Sequence, residues 1–198
     1  MHVDNYAGAA AFLAATQAIL EQNEPANSLI LGLAMRLARR PERAQGAPYL
    51  ATVRDEQGLA LAAMLAAPRP LIVYGHRGRV DQAARALARD LAAGGWAVPG
   101  VRGPLDAAAQ VAAAWTEITG RAHRLVQRTI AHELRQVLAP RPQRGRLRLA
   151  TAADLELATR WAYGFDLDGH GHADWDEAAQ AAQTRVEDGE LYLWELPP

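Results

Sequence analysis

The chain holds 198 residues, half of them apolar, with 21 basic and 22 acidic side chains and a formal charge of -1, a composition that supplies a core and excludes intrinsic disorder. It has no cysteine and no lysine, every basic residue being arginine, which excludes disulfides, thiolate chemistry, a lysine Schiff base and a P-loop lysine. No apolar run approaches the length of a membrane span, and MHVDNYAGAA lacks the charged and apolar regions of a signal peptide, so a cytoplasmic protein that does not bind membranes is expected.

The predicted elements begin with two helices. Ala9, Phe12, Leu13, Thr16, Ile19 and Leu20 recur at helical spacing, and after the Asn23-Glu24-Pro25 start signal Ile30, Leu33, Ala34 and Leu37 form a second stripe. PYLATVR (48–54) and LALAAMLA (59–66), joined by Asp55-Glu56-Gln57-Gly58, predict a hairpin, and LIVYG (71–75) a third strand. Val80, Ala83, Ala84, Leu87 and Leu91 predict an amphipathic helix ended by Gly94-Gly95. A short extended piece over 98–101 comes next. Residues 105–118 then predict a helix with Leu105, Ala108, Ala112 and Trp115 on one face, closed by Gly120.

From 124 to 137 both periods fit. Val126, Ile130, Leu134 and Leu138 suit a helix, whereas the β-branched residues and the approach to Pro140 suit a strand; the strand is adopted because it completes the order of helices and strands. The segment Pro140-Arg141-Pro142-Gln143-Arg144-Gly145 reads as a linker, dividing the chain into 1–142 and 143–198. Up to Pro142, 16 Arg face 11 acids; beyond it 5 Arg face 11 acids. Solvated helix faces account for that asymmetry, and the alternatives are attraction between the two parts or collection of an anion by the basic one. The second part predicts a strand over 146–150, helices over 152–165 and about 174–187, and a strand over 191–195. A βααβ unit this small cannot cover both sides of its own sheet. Its apolar helix face, Leu155, Ala158, Trp161, Ala162 and Phe165, is expected to be covered, and the 191–195 strand to pair with the first sheet or with a second copy in a homodimer.

The order helix, helix, hairpin, strand, helix, strand, helix, strand, together with PANSLILGLAMRL, PYLATV, APRPLIV, VPGVRGP, AAWTEITG, GRLRLATAADLELATRW and GELYLWE, resembles the N-terminal portion of a group of bacterial GNAT-family N-acetyltransferases. In that group a degenerate GNAT-like half precedes the catalytic half. The family's fold runs first strand, two helices, an antiparallel run of strands, helix, strand, helix, final strand. The resemblance covers nearly the whole chain and rests on the order of the motifs. It implies an α/β (α+β) fold with a mixed sheet: 1–142 as a degenerate GNAT-like domain, 143–198 as the opening of a second, incomplete one. It also implies transfer of an acetyl group from acetyl-CoA, the co-substrate, to an unidentified small-molecule or peptide amine; the alternative is a non-catalytic module that binds a ligand or partner.

In that family the pyrophosphate of acetyl-CoA lies on a glycine-rich loop at a helix start. The corresponding junction, LIVYGHRGRVDQAARAL, offers His76, Arg77, Gly78 and Arg79 but places Val80 or Asp81 at the second glycine position. Arg77, Gly78 and Arg79 are thus the candidate cofactor-binding residues of a degenerate loop. An acid in the first helical turn opposes an anion, so weak or absent acetyl-CoA binding is expected; the second part would reach its own loop only after two further strands, beyond Pro198. The segment FDLDGHGHADWDE gathers Asp166, Asp168, His170, His172, Asp174 and Asp176, without the register or distal Glu of an EF-hand, so no metal is expected. The resemblance implies a substrate-side role for Asp166, Asp168, His170 and His172, in the loop between two helices. Thr151 with Asp154, and Asp174 with Glu177, read as capping boxes.

No catalytic residue is assigned. Ser28 is the single serine and has no nucleophile elbow around it, and His132 and Glu133, adjacent on a strand, would point to opposite faces. Trp161, Trp175 and Trp194 have no interleaved basic residues, so nucleic-acid binding is not expected.

Overall fold

A computed structural model describes residues 1–44, 46–66, 69–76, 79–139, 141 and 143–197, with Arg43 and His170 described by their backbone only. The chain divides into two compact units, Met1–Arg135 and Gln136–Pro198.

Unit 1 opens on a strand that the sequence reading misses, β1 (His2–Asn5), followed by α1 (Ala9–Leu20), a single 3-10 turn and α2 (Glu24–Arg39). β2 (Tyr49–Asp55), β3 (Gly58–Leu65) and β4 (Leu71–Gly75) come next, then α3 (Val80–Ala93), β5 (Val101–Arg102) and α4 (Leu105–Thr119). The strands lie in the order β1-β2-β3-β4-β5. β1 to β4 pair antiparallel, while β5 runs parallel to β4. Parallel neighbours need a crossover, and α3 supplies it.

Both faces of this sheet are covered. Phe12, Leu13, Leu20, Ile30 and Leu31 of α1 and α2 pack with Leu50, Met64 and Ile72; Leu87 and Leu91 of α3 and Val111 of α4 pack with Tyr49, Val53, Leu61 and Val73. Alternation along β2 sorts Tyr49, Ala51 and Val53 to one face and Leu50 to the other. Leu59 through Leu65 of β3 are all buried, the continuous apolar run of a central strand. Each large side chain buried in these layers contributes about 1.5–3 kcal/mol.

Two expectations for unit 1 are corrected. α4 buries Ala107, Val111, Ala114 and Trp115, and Leu105 is 53% exposed; the small residues of this face let α4 approach α3, itself lined by Ala83, Ala84 and Ala88. No strand forms over 124–137. Residues 124–139 have no regular structure, and Val126, Ile130 and Leu138 are about four-fifths exposed. A strand needs a neighbouring edge; the sheet's edges, β1 and β5, do not pair with this segment.

Unit 2 contains β6 (Arg146–Leu149), a 3-10 turn, α5 (Leu155–His170), α6 (Trp175–Glu187) and β7 (Tyr192–Glu195). β7 pairs antiparallel with β6, Leu147 opposite Trp194 and Leu149 opposite Tyr192. Thr151 and Asp154 form the capping box at the helix start, and Asp174 accepts the Glu177 N–H at 2.9 Å. The strand, helix, helix, antiparallel strand sequence therefore occurs twice, as β1-α1-α2-β2 and as β6-α5-α6-β7.

The helix face of Trp161 and Phe165 is not covered within unit 2: the two are 60% and 72% exposed. α5 buries Ala158 and Thr159, facing an α6 that buries Ala178 and Ala182, so small side chains make the helix–helix contact and the aromatic ones stay outside it. α5 also runs past the expected end at 165. It closes at Gly171, whose positive φ of 73° suits glycine and whose N–H donates to the Leu167 carbonyl at 2.9 Å.

Candidate functional site

The first candidate lies where β4 meets α3. β5 pairs with β4 only at Leu71–Val101 and Ile72–Arg102 and then turns away into α4. Gly103 makes that exit possible, since a Cβ there would stand 2.3 Å from the Val73 carbonyl oxygen. Arg77 and Gly78 lie outside the described residues. Arg79 is described, and its guanidinium is engaged: one nitrogen donates to Asp55 Oδ1 and the other to the Leu59 carbonyl at 3.2 Å. Burial works to raise the Asp55 carboxyl, but the Gln57 N–H and the Arg79 guanidinium outweigh it and hold the carboxyl below its ordinary range. Asp55 and Arg79 thus tie the start of α3 to the β2–β3 hairpin. In the first turn of α3, Asp81 stands 3.6 Å from Arg85. These described residues do not fit a pyrophosphate, because the cation is satisfied by a carboxylate and the helix start carries a second acid.

The second candidate set is dispersed by the helix that contains it. Asp166, Asp168 and His170 belong to the last turns of α5, not to a loop; successive helical residues turn by about 100°, so Asp166 and His170 share a side of the backbone that Asp168 does not. Asp168 and His172 are exposed and Asp166 is half-buried. Among the described residues no group of three or more His, Cys, Asp or Glu side chains is gathered to hold a metal ion. His132 and Glu133 fall in the irregular 124–139 segment, where Glu133 pairs with Arg135 at 3.0 Å.

A third site is one that sequence reading does not find. At the other end of α3, a cleft of about 300 Å³ lies between that helix and the β1–β2 edge, lined by Asn5, Tyr6, Tyr49, Asp90, Gly94 and Trp96 among others. The Tyr49 hydroxyl donates to Asp90 Oδ2 at 2.7 Å, and Asn5 Nδ2 donates to the same oxygen at 3.2 Å. Burial, then the hydrogen bond and the charge of Asp90, push the Tyr49 phenol well above its ordinary range, so Tyr49 remains a neutral donor. Trp96 meets Tyr49 edge-on at 5.4 Å, and the Tyr6 hydroxyl is tied to Thr52 Oγ1 at 2.9 Å. Tyr49 and Asn5 stand 41 and 85 positions from Asp90 in the chain; the one available signal is an acid, Asp90, in the last turn of an otherwise amphipathic helix.

Comparison with family models, with curated proteins and with solved structures gives no match for this chain. The fold defines an α/β protein with a mixed sheet. No described helix is long and apolar enough to cross a membrane.

Proposed function

We propose that the chain is the N-terminal portion of a GNAT-type N-acetyltransferase, a protein that moves an acetyl group from acetyl-CoA to an amine, and that this portion does not itself hold acetyl-CoA. The observation that supports this reading is the order and pairing of unit 1: a strand, two helices, three antiparallel strands, a crossover helix, and a parallel strand that leaves its neighbour after two residue pairs. The second strand-helix-helix-strand unit, repeating the opening of the first, is what a tandem arrangement requires. No step of acetyl transfer is assigned to residues of this chain, because Arg79 and Asp81 do not fit the cofactor's pyrophosphate. That same engagement of Arg79 with Asp55 favours the second reading, a non-catalytic module that docks a partner or ligand.

Calorimetry with acetyl-CoA and a transfer assay over a panel of amines test the first part: neither saturable binding nor transfer is expected from the chain itself. One-site binding with a dissociation constant of roughly 1 μM, about -8 kcal/mol, would overturn it. The reading frame past the last codon tests the second part. Coding that continues into a glycine-rich loop, with acetyl transfer by the whole product, supports the acetyltransferase; a frame that closes there leaves the non-catalytic module.

A further inference from the structure

We propose that the cleft between the end of α3 and the β1–β2 edge binds a small organic ammonium ion. The site is independent of acetyl transfer. Asp90 stands eleven residues along the helix from Arg79, roughly 16 Å at the α-helical rise.

Charge makes the first part of the case. Asp90 is the single charged residue lining the cleft, and it has no ion-pair partner among the described residues although the protein carries 21 arginines. Its two hydrogen bonds come from neutral donors, Tyr49 and Asn5, and both fall on Oδ2. Neutral donors orient a carboxylate without cancelling its charge, and Oδ1 has no partner among the described residues. An acceptor for the Tyr49 hydroxyl alone would need no charge. An unpaired carboxylate beside buried apolar surface is stabilised by a cation and repels an anion.

The walls make the second part. Trp96, half-buried, lines the cleft beside Tyr49 on the α3 side of the sheet, and the face of an indole attracts cations, more strongly where water is displaced. The indole is held in place: it packs against the buried Tyr49 ring at 5.4 Å and lies over Gly94, where a Cβ would meet Cδ1 at 2.8 Å. Size makes the third. A cleft of about 300 Å³ is at the lower end of small-molecule sites, which suits an ion of few heavy atoms such as a methylated or primary alkylammonium.

The test titrates choline chloride into the full chain, against matched sodium chloride, and follows the Trp96 indole N–H by nuclear magnetic resonance. A parallel titration uses the uncharged analogue of choline in which carbon replaces nitrogen. Choline is expected to saturate one site below roughly 10 mM and to bind at least about tenfold more tightly than the uncharged analogue. Asp90→Asn and Trp96→Leu are each expected to weaken choline by about tenfold or more with the amide spectrum otherwise preserved. Equal binding of the two probes, or no saturation by choline, overturns the proposal. If either variant fails to fold, the comparison of the two probes on the unmodified protein still decides.

Discussion

The two strand-helix-helix-strand openings differ in how the chain continues after them, and burial tracks that difference. In unit 1 three more strands and two more helices are added, so the sheet is covered on both faces and Phe12, Leu20, Ile30, Leu50 and Leu61 are at most 2% exposed. In unit 2 the sheet has two strands, and Leu147, Trp161, Phe165, Tyr192 and Trp194 are each more than half exposed. The same local motif thus forms with or without a layered core. One capping box, arginine–carboxylate pairs and small-residue helix contacts define unit 2, whereas two packed layers define unit 1.

The largest expected effect contrasts a core residue with an exposed one. Leu61→Ala should cost about 2–5 kcal/mol through the cavity it leaves, and Trp161→Ala less than about 0.5 kcal/mol, as for a surface site, both read from urea midpoints. A comparable loss at Trp161 would mean that α5 is covered in solution and would break the contrast. Gly103→Ala comes next, at about 1–3 kcal/mol, because a Cβ against the Val73 carbonyl forces β4 and β5 apart; hydrogen exchange at Leu71, whose N–H donates to the Gly100 carbonyl, should quicken. Thr151→Ala should cost about 0.5–2 kcal/mol by removing half of a capping box, with faster exchange confined to the first turns of α5.

The smallest effect is electrostatic. Arg148 donates to both oxygens of Asp154 at 2.8 and 2.9 Å and, with the Thr151 N–H, holds that carboxyl well below the usual carboxylate range. The pair's stabilisation is therefore complete above the unfolded carboxylate value near about 4 and declines as the pH falls through the depressed folded value. It is limited by solvent screening. Circular dichroism from neutral to acid pH should show a late acid loss in unit 2 that Arg148→Met flattens; an identical profile in that variant would show that the pair does not contribute.

Much of unit 1 is legible in the sequence because its periods are clean. The stripe of Ala83, Ala84, Leu87 and Leu91 gives α3, and the alternation in β2 with the apolar run of β3 gives the hairpin. β1 is missed because HVDN is four residues with a single β-branched side chain, and its strand character comes from pairing with β2. The 124–137 strand fails for the converse reason: Val126 and Ile130 have the propensity and no edge to join. α5 is read too short because Gly169 and the acids Asp166 and Asp168 resemble a loop, yet the helix tolerates them up to the Gly171 cap. Candidate-site residues are legible as types but not as partners. Arg79 is visible as a cation, while its engagement with Asp55 depends on how the hairpin folds back, and the meeting of Asn5, Tyr49 and Asp90 depends on the whole sheet.

The irregular segment over residues 124–139 also makes the chain's digestion map readable. Trypsin cuts after lysine or arginine and needs several residues of accessible, unpaired backbone. With no lysine present, arginine alone marks the sites, and most others in unit 1 lie in or beside helices and strands. Arg124, Arg128 and Arg135 sit exposed on backbone without regular structure. Brief digestion should therefore nick there first, and mass spectrometry should find early fragments that begin at Leu125, Thr129 or Gln136.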